Sequence, residues 1–118
     1  MSTTPFLPSG NTVAITSAVT ATTPVQVTNQ QGQGKGFGPT QYEIQVVGAV
    51  PMYFTWGQAS GGTAGVPTPT VPVAGTPGTG YPVMPGMAKV ITAPPEAYFS
   101  TIATATTSTA LITPGDGI

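Results

Sequence analysis

Five side chains supply all the ionic chemistry available to this 118-residue chain: Lys35, Lys89, Glu43, Glu96 and Asp116. There is no His, Cys or Arg. Without an imidazole, neither a Ser/His/Asp nor a Cys/His nucleophile relay can be assembled. Zinc and other transition metals lose their preferred nitrogen and sulfur donors. Two of the three carboxylates could in principle form a glycosidase pair, but each has a simpler place. Glu43 lies on the polar side of an alternating strand, and Glu96 follows Pro94-Pro95 just ahead of another. Asp116 stands in a Gly-rich turn, where Asp bonds nearby backbone. No D-x-D-x-D-G run suggests calcium. No enzyme, metal site or cofactor site is expected.

The run N-Q-Q-G-Q-G-K-G-F-G-P-T (29–40) sets Gly32, Gly34, Gly36 and Gly38 around Lys35, which superficially suggests a phosphate cradle. A P-loop needs Gly-Lys-Ser/Thr opening a helix, whereas Lys35 precedes Gly36 and no helical pattern follows. The dinucleotide fingerprint also lacks its helix and its downstream acid. The run reads as a loop, with Phe37 at its tip a candidate for docking on a partner. Uncharged recognition is left to the aromatics. Trp56, Tyr53, Tyr81 and Tyr98 could stack on a sugar, as in small β-sandwich lectins. Their spacing also matches strand parity, which places most of them in a core.

The element that must position these groups is Tyr42–Gly57, Y-E-I-Q-V-V-G-A-V-P-M-Y-F-T-W-G. Tyr42, Ile44 and Val46 share one parity, Glu43 and Gln45 the other, as in a half-buried strand. Met52, Phe54 and Trp56 repeat the pattern after Gly48-Ala49. Read as a hairpin, the stretch needs a three-residue loop, Gly48 to Val50. That loop pairs Val47 with Pro51 and puts Ile44 and Phe54 on one face, whereas a two-residue loop would flip one strand. The alternative is that the two strands belong to different sheets and do not pair.

Further short strands are expected at Thr12–Ala18, Pro24–Asn29, Tyr81–Met84 and Met87–Thr92, the last two around a Pro85-Gly86 turn. Ala97–Ala103 and Thr109–Thr113 read as a second hairpin. Gln58–Gly80 is a long excursion of Gly, Thr and Pro. Pro67, Pro69, Pro72 and Pro77 bar a central strand there but allow polyproline II or an edge. Long ordered loops are usually functional, and Val71 and Val73 are the apolar groups this one could offer. About eight short strands with turn signals and no amphipathic helix predict an all-β fold. We read a single β-sandwich of jelly-roll or Greek-key type, with long Gly/Pro-rich loops. The sandwich is assigned to residues 12–118 and an extended N-terminal arm to 1–11. Pro5 and Pro8 hold that arm extended around Phe6 and Leu7. It either packs on its own domain or docks on a neighbouring subunit.

Composition narrows the partners. Only 4% of residues are charged and the formal net charge is −1, against about 25% charged residues in an ordinary domain. Hydroxyls must wet the surface, with 22 Thr as the main supply. Free monomers usually carry more net charge, so much of this surface is expected to be covered. Two lysines make no nucleic-acid footprint and little attraction to an anionic membrane. No apolar run approaches the roughly 18 residues of a membrane span. The first ten residues lack a secretory signal pattern, so the chain is expected to act where it is made or in a particle assembled there. Gly (16) and Pro (14) approach disordered composition, but 39% hydrophobic residues and the strand-like runs oppose disorder.

The pattern A-Y-F-S-T-I-A-x5-T-A-L-I-T-P-G-D-G (Ala97–Gly117) resembles the C-terminal end of small structural proteins of tailed bacteriophages. Val50–Gly57 and Pro82–Gly86 are similar in style, so the likeness spans Pro24 to Gly117. One departure is the lack of the Arg that follows the central aromatic strand in such proteins. The resemblance implies a capsid decoration (cement) protein, a β-sandwich or jelly roll that clamps the major capsid protein. It further implies a homo-dimer or homo-trimer on the outer capsid surface of the virion, assembled in the host cytoplasm. A ligand that binds only the assembled lattice stabilises it, and many modest contacts add through multivalency. Partner contacts are expected from Phe6, Leu7, Phe37, Val71, Val73 and Tyr81, with no small-molecule substrate. Two other roles remain open: a neck or tail adaptor or fibre subunit, and a carbohydrate-binding module.

Overall fold

β-Branched and aromatic runs punctuated by Pro and Gly form short strands here because each has one face to bury and nothing to carry it further. The computed structural model describes residues 7–8, 12–27 and 41–116. Their strands are β1 (Leu7–Pro8), β2 (Val13–Ser17), β3 (Val25–Gln26), β4 (Gln41–Val46), β5 (Met52–Gly57), β6 (Tyr81–Val83), β7 (Ala88–Thr92), β8 (Tyr98–Ala103) and β9 (Ser108–Asp116). They make two antiparallel sheets. In the first, β9 pairs with β1 and β2 on one side and β4 on the other, and β4 then pairs with β7. The second runs β3-β8-β5-β6. The all-β expectation is met. No helix of the described residues is long and apolar enough to cross a membrane.

Neither expected hairpin exists. β4 pairs with β7 and β9, whereas β5 pairs with β6 and β8, so the two strands of Tyr42–Gly57 lie in opposite sheets. β8 and β9 are separated in the same way. Alternation reports that a strand has one buried face; it does not report which sheet the strand joins. Sequential strands usually neighbour one another, but here β5 and β6 are the only consecutive strands of the described residues that pair. The three-residue-loop reading therefore fails, and its alternative of two unpaired strands holds.

The parity assignments for β4 and β5 survive this change because both strands still turn their alternating large residues inward. Tyr42, Ile44 and Val46 from β4 meet Met52 and Phe54 from β5 and Phe99 from β8, all essentially sealed from solvent. Fully burying side chains of this size is worth about 1.5–3 kcal/mol each. The rings of Tyr42 and Phe99 meet edge-on across the sheets at 5.1 Å. The Tyr42 hydroxyl donates to the carbonyl of Pro94 (2.7 Å) and accepts from the amide of Ala97 (3.1 Å). It thereby fastens the β7–β8 corner. Burial pushes the phenol above its ordinary pKa of 10.0; two backbone hydrogen bonds oppose the shift, and the Glu96 charge adds to it.

The chain between β2 and β3 is not a free loop. Ala103 donates its amide to Ala18 (2.7 Å), Thr22 to Thr101 (2.9 Å) and Val27 to Ala97 (3.0 Å), so residues 18–27 follow the edge of β8. Part of the Gln58–Gly80 excursion is ordered against the outside of the second sheet. Two short 3-10 turns, broken at Gly62, occupy Ala59–Gly65, which the sequence reading did not anticipate. The Thr55 hydroxyl donates to the Pro67 carbonyl, and Pro69 is buried. A Cβ on Gly57 would stand 2.5 Å from the Gly65 carbonyl oxygen, so only glycine admits this cover.

Candidate functional site

Where β6 runs out, the second sheet opens. β6 begins opposite Phe54, leaving Thr55, Trp56 and Gly57 of β5 unpaired on that side. Tyr81 shares the face of Phe54 and Trp56, because cross-strand partners point the same way. Pro67 and Gly80 close the outer wall. The resulting cleft, of about 330 Å³, is lined by Phe54, Thr55, Trp56, Pro67, Gly80 and Tyr81, at the lower end of the roughly 300–1,000 Å³ of small-molecule sites. Trp56 is half-buried, with Tyr81 edge-on at 6.4 Å and Phe99 tilted at 5.9 Å.

Beside Tyr81, and outside the residues that line the cleft, stands Lys89 from the other sheet. Its backbone partner in β4 is Ile44, so Lys89 and Ile91 point inward from an edge strand while Val90 points out. An inward charge is one way sheets discourage edge-to-edge pairing. Its Nζ lies 5.6 Å from the Tyr81 ring centroid, within cation–π range. No carboxylate of the described residues pairs with it. The sequence reading passed over Lys89, although M-A-K-V-I-T carried the signal: a lysine at the apolar parity of its strand.

The four-aromatic platform does not form. Tyr53 and Tyr98 belong to the outward parity of β5 and β8, with Tyr53 against the backbone of Gly80. Trp56 and Tyr81 are on the opposite face. The core assignment for Trp56 is half right, since it packs on the core and also lines the cleft.

The expected partner-contact residues are scattered. Tyr81 is 36% exposed at the cleft. Val73 is 64% exposed near the tip of a small hairpin, bridged to Thr76 through Ala74-Gly75, with Val71 half-buried at its base. Leu7 belongs to β1, whose backbone pairs with Gly115 and Asp116 of β9. Phe6, Phe37 and the Gly32–Gly38 loop lie outside the described residues. Of the carboxylates, Glu43 is on the outer face of the first sheet and Glu96 at the β7–β8 corner, where φ is +51°. No group of three or more His, Cys, Asp or Glu comes together among the described residues.

A second surface is the outer face of the first sheet. Its rows run Thr12, Thr113, Glu43, Val90 and then Ala14, Leu111, Gln45, Ala88. Thr12 and Thr113 share a hydroxyl hydrogen bond at 2.7 Å, and Thr16 and Thr109 another at 2.9 Å. Glu43 is the one charge of the described residues in these rows, and no described segment covers them as the excursion covers the second sheet. No family model, curated protein or solved structure matches this chain.

Proposed function

We propose that this chain is a structural protein of a virion, a decoration protein that clamps the major capsid lattice through uncharged contacts, and that its sandwich is a jelly roll. The observation that carries the reading is strand order. With the two-residue β1 set aside, the sheets read β2-β9-β4-β7 and β3-β8-β5-β6. Nearly every connection therefore crosses between sheets, as in the eight-stranded double Greek key that recurs in viral capsid and lectin domains. The step from that order to a shell is an analogy of fold. Surface chemistry supports it: the rows of Thr, Ala, Gln and Val on the first sheet suit a neutral protein face and give nucleic acid no cationic grip.

In this reading the Thr113–Leu111 face lies on the lattice and the Val73 hairpin reaches a neighbouring subunit. The test is occupancy on purified particles, measured by quantitative mass spectrometry. Hundreds of copies per particle are expected, and loss of most of them in Leu111→Glu, whose outward side chain leaves the core intact. Particles without the protein would overturn the reading. Six or twelve copies would move it to the neck or tail.

A further inference from the structure

We propose that the cleft at the β6–β7 side of the sandwich is a binding site for an acidic saccharide, a pyranose bearing a carboxylate. Three observations meet there. Trp56 and Tyr81, in edge-on contact at 6.4 Å, put two rings side by side on the largely apolar wall of a cleft of about 330 Å³. The Trp56 indole N–H and the Tyr81 phenol bond no described residue, and neither is among the buried orphan atoms, so both are free to bond sugar hydroxyls.

Charge selects the kind of sugar. Lys89 is the only cation of the described residues, and its ammonium stands over Tyr81 with no carboxylate of the described residues as partner. A neutral sugar would stack on the rings and leave that charge unanswered. A uronic or sialic acid would stack in the same way and place its carboxylate against Nζ. Nothing in the site requires attachment to a shell, so it stands apart from the capsid reading.

The chain carries a single tryptophan, so its fluorescence reports this cleft and no other place. The full chain is titrated with galacturonate oligomers, with free galacturonic acid and with neutral galactose oligomers of equal length. Saturable changes in Trp56 emission are expected with the acidic oligomers, at least about tenfold tighter than with the neutral ones and weakening as salt is raised. A matching response to the free acid assigns one sugar ring to the site, and a response to oligomers alone assigns an extended chain. Lys89→Gln should erase the preference for acid, and Tyr81→Ser should weaken binding about tenfold. Both are edge positions, and unchanged circular dichroism checks their fold. Equal affinity for acidic and neutral oligomers, or no response to either up to about 10 mM, would overturn the proposal.

Discussion

Gly48 lies directly against Ser108: a Cβ built on Gly48 would stand 2.7 Å from the Ser108 Cα. Gly48 belongs to the crossover 47–51 that carries β4 to β5, and Ser108 opens β9 at the end of the crossover 104–107 from β8. Ser108 in turn donates its hydroxyl to the Val50 carbonyl at 3.2 Å, and Thr104 its amide to Pro51 at 3.2 Å. The connections that defeat the hairpin reading are thus packed on each other.

Gly48→Ala is accordingly expected to destabilise the fold by about 3 kcal/mol, the upper range for overpacking, because backbone and not a flexible side chain is in the way. Ala49→Ser, at an exposed neighbouring site, serves as the control. Urea unfolding measures both, and a loss below about 1 kcal/mol for Gly48→Ala would mean that the crossovers separate easily.

Tyr42→Phe keeps the ring on Phe99 but strips a donor from the Pro94 carbonyl and an acceptor from the Ala97 amide. A loss of about 1–3 kcal/mol is expected. The same phenol sets an alkaline limit. Its folded pKa is raised, so below the ordinary value of 10.0 both states hold the proton and stability is flat. As pH climbs from there through the folded value, the unfolded chain ionises first and stability falls. Alkaline melts of the wild type should show this decline, and Tyr42→Phe should flatten it.

Thr101 faces the core from β8 with no exposure, and its hydroxyl has no hydrogen-bond partner. Thr101→Val replaces that orphan with a methyl of similar shape and should stabilise the protein by about 1 kcal/mol, read as a raised Tm. An unchanged or lower Tm would mean that the hydroxyl has a role in the native state.

Deleting residues 1–8 removes β1 and its pairing with Gly115 and Asp116. A two-residue ladder is worth about 2 kcal/mol at most, so the truncated sandwich is expected to stay folded. Lower occupancy on particles would give the arm its role in attachment. Unchanged occupancy would confine it to the edge of its own sheet.

How much of this was legible in advance depends on the range of the interaction involved. Tyr42, Ile44, Val46, Met52 and Phe54 were readable as core because alternation is local: each residue's face follows from its neighbours. The all-β class followed from many such short runs with Pro and Gly between them. The cleft was only partly legible. Tyr81 and Trp56 stood out by type, whereas Lys89 joined them only when β7 was set opposite β6 across the sandwich.

By itself the sequence determined the strands, their inward faces and the scarcity of charge, since these depend on residue type and on spacing within a few positions. Only the tertiary structure decided which strands pair. β4 and β5 carry the same alternation whether they are neighbours or stand in opposite sheets. The choice is made by the partners that complete each ladder, β9 and β7 for one and β8 and β6 for the other, and by the close fit of Gly48 on Ser108. Loop closure adds little cost as connections lengthen, so ladder and core complementarity between distant segments decides the arrangement.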